Sequence, residues 1–247
     1  MDLGITGRRA AVAAGTAGLG LGAARALAAE GVAVAVCGRD RDRVDATVAE
    51  LGPHAVGLLA DLSRTDEAAR FASEAAKRLG GPLDILVCNA GGPPPGDPST
   101  TALDDYRAAL ELNCLSTIAM CQVAVPSMRT QRWGRVVAIS SIGARQPIVG
   151  LAASSTARAA VTSFLKVLSA EVAPDGVTVN NLQPGLHATA RMTELYGGSP
   201  DARGIPAGFA GDPNAFGAVA AFLCSQQAAF VTGVGLHVDG GAYQGLQ

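Results

Sequence analysis

Charge is scarce in this chain. Only 16% of its 247 residues are Asp, Glu, Lys or Arg, and the signs nearly cancel, Lys+Arg 19 against Asp+Glu 21. The resulting net charge of −2 gives no electrostatic attraction to nucleic acid, and no basic run invites a membrane surface. Histidine is scarcer still: His54, His187 and His237 stand too far apart for metal-ligand spacing. The five cysteines, Cys37, Cys88, Cys114, Cys121 and Cys224, form no C-x-x-C pair and read as reduced core thiols. Long apolar runs are missing too, none approaching the ~20 residues needed to cross a bilayer. The opening MDLGITGRRAAVAAG enters strand-like sequence without the apolar core of a signal peptide. A cytoplasmic protein with no nucleic-acid, membrane or metal partner is expected.

What the chain has is apolar sequence in two alternating textures. Hydrophobic residues make up 49% of it and the mean hydropathy is +0.27, far too apolar for disorder and ample for one large core. Short Val-, Ile-, Leu- and Ala-rich runs recur at 9–14, 32–37, 55–60, 83–89, 135–140, 177–182 and 235–238. Such continuous runs suit strands buried on both faces. Helical stretches lie between them, at 19–30, 41–51, 65–79, 102–131, 153–172 and 213–225. The alternation predicts right-handed βαβ units and an α/β fold: a single doubly wound domain over residues 1–247, with a parallel, about seven-stranded sheet flanked by helices.

Two segments break the rhythm. Gly91-Gly92-Pro93-Pro94-Pro95-Gly96 follows the fourth predicted strand, and a long stretch at 186–211, carrying Tyr196 and Phe209, follows the sixth. A connection that long is usually a lid or binding loop. Both leave strand C-termini, where open α/β sheets bind ligands. The long stretch therefore predicts a lid over a small-molecule substrate, with Gly92, Pro93 and Tyr196 on the substrate side.

The first predicted strand runs into Ala14-Gly15-Thr16-Ala17-Gly18-Leu19-Gly20, and a helix follows. Glycines here let backbone approach a pyrophosphate and leave helix N–H groups aimed at its charge. The bland alternative is a tight βα turn. About 20 residues on, where an NAD protein usually places an acidic residue on the ribose, stands Arg39. A guanidinium suits a 2′-phosphate, so NADP(H) is expected ahead of NAD(H). The alternative leaves Arg39 solvated and gives the ribose to Asp40.

Gly18-Leu19-Gly20, Asp61-Leu62, Cys88-Asn89-Ala90-Gly91, Asn113, Ser140-Ser141, Asn181 through Gly185 and Val238-Asp239-Gly240-Gly241 follow one another along the chain. In this order the sequence resembles the short-chain dehydrogenase/reductase family, in particular its 3-oxoacyl-ACP reductases, over nearly its full length. The resemblance implies a Rossmann-type fold and interconversion of ketones and alcohols. It implies that Gly15, Thr16, Gly18, Leu19 and Gly20 cradle the cofactor phosphates and that Asp61, with Leu62, meets the adenine. Asn89, Ala90 and Gly91 would line the adenosine ribose and central cofactor, and Pro184, Gly185, His187 and Thr189 would hold the nicotinamide. It also implies a homo-oligomer, tetramer or dimer, in which the two long helices pack against their symmetry mates.

The chain departs from the family in two places. The first glycine of T-G-x-x-x-G-x-G falls on Ala14, with Gly15 one place later, so a shifted turn or a slightly reshaped pyrophosphate loop is expected, with cofactor binding weakened rather than abolished. The second departure is catalytic. In the family the serine ending strand five is followed thirteen positions later by Tyr and four later by Lys; from Ser141 those positions hold Ser154 and Arg158. Carbonyl reduction needs a hydride on carbon and a proton on oxygen. A phenol of pKa ~10 can be brought toward neutrality by an adjacent cation; an aliphatic hydroxyl cannot, and arginine keeps its proton. Arg158 would keep a positive charge near the ribose.

His187 is the candidate replacement acid, or else it fills space or points to solvent while its backbone holds the carboxamide. Tyr196 is a second candidate, whereas Tyr106 and Tyr243 look structural. Ser141 and Asn113 keep their family positions, so Ser141 either binds a substrate oxygen or merely caps the strand end. The expected function is an NADP(H)-dependent oxidoreductase acting on a small carbonyl or alcohol with a non-standard proton donor. The alternatives are a non-redox lyase, cyclase or isomerase on the same scaffold, and a catalytically silent cofactor-binding homologue.

Overall fold

Seven short apolar runs lie side by side in the computed structural model, which describes residues 2–196 and 204–246. They are β1 (Arg9–Val12), β2 (Ala33–Gly38), β3 (Ala55–Leu59), β4 (Ile85–Cys88), β5 (Gly134–Ile139), β6 (Val177–Pro184) and β7 (Gly235–Val238). Every neighbouring pair is parallel, in the order β3-β2-β1-β4-β5-β6-β7. The helices are α1 (Gly18–Ala29), α2 (Arg41–Leu51), α3 (Thr65–Arg78), α4 (Leu103–Leu110), α5 (Ser116–Gln131), α6 (Ala152–Val172), α7 (Ala190–Tyr196) and α8 (Pro213–Leu223).

Strand side chains alternate between faces, which divides the core in two. On one face Ala11, Ala35, Leu86 and Val136 meet Phe71 of α3, Met120 of α5 and Leu165 of α6. On the other Ala10, Val12, Val34, Ile85 and Val137 meet Leu27 of α1 and Phe216 of α8. Within the second layer α1 and α8 nearly touch: a Cβ on Gly217 would lie 2.1 Å from the Gly22 carbonyl oxygen. Strand order reverses between β1 and β4, so their crossovers leave in opposite directions and open a crevice at the C-terminal edge of the sheet.

The helix expected over 102–131 forms, with one wide π-type turn at Glu111–Leu115 between α4 and α5. That turn aims Asn113 inward, where Nδ2 donates to the Gly91 carbonyl at 2.8 Å. The continuous 29-residue helix has a mean hydropathy of 1.5 over its most apolar window, long and apolar enough by composition to cross a membrane. The sequence expectation that no segment reaches that length is thereby corrected. Half of that window is buried inside the protein, in the layer that packs α5 on α3 and the sheet. The 186–211 stretch is likewise not a simple loop. It contains α7, and its base is joined by a bridge between His187 and Gly211. Residues 197–203 and the Tyr196 side chain lie outside the described residues.

Candidate active site

The crevice begins where β1 turns at Ala14, whose φ is 45°; the next left-handed residue is Gly18, at 55°. The turn is therefore made on Ala14 itself and is not displaced onto Gly15, which corrects the expected shift. Gly15 is nonetheless wedged in place, since a Cβ there would lie 2.8 Å from the Val36 side chain. Asn89 ties the two strand ends together, its Nδ2 donating to the Ala14 carbonyl at 3.3 Å. Gly20 packs beneath them: a Cβ would stand 2.5 Å from that oxygen and 2.6 Å from Asn89 Nδ2. α1 starts without a side-chain cap and without an acidic residue in its first turn. Its first N–H groups and positive dipole end are thus left for an anion.

Two cavities that share Ala14, Ala17, Gly91 and Gly92 make one groove across the crevice. The outer cavity, about 610 Å³, is lined by Thr16, Arg39, Arg43, Asp61 and Leu62 among others. Asp61 Oδ1 accepts from the Ser63 N–H at 3.0 Å and from its hydroxyl at 2.8 Å. The backbone bond chiefly, helped by Arg39 and Arg64, holds that carboxyl below the usual range. Asp40 caps α2, its Oδ1 accepting from the Arg43 N–H at 3.1 Å, while Oδ2 stays outside that bond. Arg39 stands exposed at the cavity wall.

The inner cavity, about 340 Å³, gathers Ser140 and Ser141 from the end of β5, Ser154 and Arg158 from α6, and Pro184 and Gly185 from β6. Thr189, Leu19, Asn89, Ala90 and Pro93 also line it. Ser154 and Arg158, one helical turn apart, share a face. Arg158 Nη1 donates to the carbonyls of Ser140 at 2.7 Å and Ile139 at 3.2 Å. Burial pulls its pKa down to about 10, so the guanidinium is charged at neutral pH. Ser141 Oγ accepts from the Gly143 N–H at 3.0 Å, which leaves its own O–H free to donate into the cavity. The capping and oxygen-binding readings of Ser141 are therefore compatible.

Among the described residues no tyrosine lines this cavity. Tyr106 packs on Ala109, Ala153 and Ala157, and Tyr243 stacks on His237 with ring centroids 4.1 Å apart. His187 does line it, as a packed ring. Nδ1 pairs with the Gly185 carbonyl at 3.1 Å, and the ring meets Phe216 edge-on at 5.1 Å. A Cβ on Gly211 would touch Nε2 and Cδ2 at 2.6 Å. Burial lowers the imidazole pKa. This neutral, packed ring has the geometry of the space-filling alternative.

Two fastenings of the roof had not been visible in the sequence. The Gly96 N–H donates to the Gly150 carbonyl at 2.7 Å, and the Ala152 N–H to Gly96 at 3.2 Å, pinning the proline-rich loop to the start of α6. From the lid, Arg191 Nη2 donates to the carbonyls of Pro93 at 2.9 Å and Gly92 at 3.3 Å. The helix-forming run 190–196 carries a signal for α7; the distant partners of Arg191 carry none.

The enoyl-(acyl carrier protein) reductase family matches residues 13–243 of this chain. L-fucose dehydrogenase from Bos taurus is 37% identical over 222 residues, 85% of this chain and 79% of that protein. The 3-oxoacyl-[acyl-carrier-protein] reductase FabG of Aquifex aeolicus is 33% identical over 250 residues, 98% and 100% of the respective chains. Among solved structures, L-sorbose reductase from Gluconobacter frateurii, complexed with NADPH and L-sorbose, superposes with a TM-score of 0.92 at 27% identity, covering 100% of both chains.

Proposed function

The chain belongs to the short-chain dehydrogenase/reductase family, and from that premise we propose an NADP(H)-dependent oxidoreductase that acts on a small carbonyl or alcohol without a phenolic proton donor. The observation that carries this reading is the two-lobed groove over the β1/β4 reversal. Its waist meets an uncapped helix N-terminus, and Gly91 leaves open space where a side chain would intrude. A dinucleotide fits such a groove: pyrophosphate on α1, adenosine toward Asp61, nicotinamide toward Pro184–Thr189. Arg39 and Arg43 together favour a 2′-phosphate at the outer end, where Asp40 is the one helix-capping carboxylate beside them.

The bound nicotinamide would supply or accept the hydride. The chain's own residues orient and polarise. Ser141 and Ser154 offer hydroxyls to a substrate oxygen, and Arg158, held on the β5 carbonyls, keeps the pocket positive without moving a proton. Ile139, Leu151 and Met192 give the pocket an apolar side suited to a small substrate. Positioning alone can supply ~7–11 kcal/mol of a barrier, so slow turnover with the proton drawn from water is consistent with this set. Five buried free thiols suit a reducing, cytoplasmic compartment. A homo-oligomer built on α5 and α6 completes the reading.

Fluorescence titration with NADPH and NADH, followed by a carbonyl panel, tests it. NADPH should bind at least tenfold more tightly, with slow turnover of some carbonyl. Grafting Ser154→Tyr with Arg158→Lys should raise ketone reduction by roughly 10²–10⁴-fold. A protein that binds neither nucleotide sinks the proposal.

A further inference from the structure

α7 crosses the groove at its waist. It begins beside the phosphate turn, where the Thr189 methyl lies 3.5 Å from the place a Cβ on Gly18 would occupy. Two residues later Arg191 reaches the opposite wall and bonds the carbonyls of Gly92 and Pro93. Gly92 belongs to both cavities, so this contact spans the groove between its lobes. The charges there are one-sided. Arg158 and Arg191 line the inner cavity, and no carboxylate does, among the described residues. Arg158 is committed to the end of β5. Among the described residues the nearest acidic partner of Arg191 is Glu194, at 3.9 Å and largely exposed. Both carbonyl bonds use Nη2, so Nη1 and Nε remain outside them.

We propose that Arg191 is the latch of a strap over the dinucleotide. Closed, it holds α7 across the groove and sets a guanidinium over the pyrophosphate, opposite the positive end of α1. Open, it frees the path by which the nucleotide leaves. The proposal rests on the reading above that a dinucleotide occupies the groove. It adds a residue that positions the cofactor and sets its residence time, and planar guanidinium–phosphate pairing is the chemistry it uses.

The test measures equilibrium and stopped-flow binding of two ligands to wild type, Arg191→Met and Arg191→Lys: NADPH, and 2′,5′-ADP, which lacks the pyrophosphate bridge. Arg191→Met should weaken NADPH about 10- to 100-fold, mostly through faster dissociation, and leave 2′,5′-ADP within about twofold. Arg191→Lys, with charge but no fork, should recover part of the loss. Without ligand, hydrogen exchange in α7 should quicken in Arg191→Met. NADPH binding within twofold of wild type overturns the latch, as does an equal loss for both ligands. If wild type prefers NADH, the same pair is NADH and 5′-AMP. If wild type binds neither dinucleotide, the functional proposal itself has failed, an outcome distinct from failure of the latch alone.

Discussion

Ala14 holds a φ of 45° without glycine's freedom. A left-handed conformation costs a residue with a Cβ roughly 1–2 kcal/mol, while glycine's looser unfolded chain returns roughly 0.4–1 kcal/mol of that. Ala14→Gly should therefore stabilise the fold by about 0.5–1 kcal/mol, a rise of about 1–4 °C in Tm for a chain this size. Calorimetry decides; a lowered Tm would mean the strain is relieved elsewhere. His187 acts through pH. Its folded-state pKa lies below the ordinary 6.5 because the ring is buried, so between those two values the unfolded chain binds more protons. Stability is then full above about pH 6.5 and declines as pH falls through the folded value. Against that background a His187→Asn variant should show a flatter acid limb in Tm, with wild type falling more steeply between pH 7 and 5. Ser154 and Arg158 could be located because the family resemblance supplies the count from Ser141, and their i, i+4 spacing then puts them on one helix face. Arg191 could not, because its partners depend on how the lid folds back over residues 92 and 93.

The elements divide in the same way. The seven strands and the long helices announce themselves through continuous apolar runs and helical periodicity, and they form within a few residues of the expected bounds. α7 is only seven residues long, and its short helix-forming run is easily read as part of the glycine- and proline-rich loop around it. The turn at Glu111–Leu115 has no periodic signature at all. The close crossing of α1 and α8 also had no signal, since glycines in a helix could mark either weakness or contact. Here they mark contact: Gly22 and Gly217 meet backbone to backbone. Gly217→Ala gains helix propensity of about 1 kcal/mol but drives a methyl to 2.1 Å from a carbonyl oxygen that side-chain rotation cannot clear. Overpacking of that kind typically costs about 1–3 kcal/mol or more. The urea midpoint should fall, and because α1 carries the phosphate turn, NADPH affinity should fall with it. A variant as stable as wild type would show that the two helices can separate without loss.

On the scale of the whole molecule, the apolar excess has to be accounted for. From Leu112 to Met128 the sequence carries no charged residue. Only part of that stretch is buried, and Leu115 and Val123 are exposed on its outer side. On α6, Thr156, Ala159, Ser163, Val167 and Ala170 form an exposed stripe with the charged Lys166 along its edge, with Val167 68% exposed. Two long helical faces so poor in charge and open to water suit burial in a symmetric pair. The proposed homo-oligomer predicts that the protein sediments as a dimer or tetramer at micromolar concentration, with a Tm that rises with protein concentration. Val123→Lys combined with Val167→Lys should shift sedimentation to the monomer and abolish that concentration dependence. Neither side chain reaches the groove, so NADPH binding should survive. Wild type running as a monomer at all concentrations would refute the assembly and leave the charge-poor faces to some other partner.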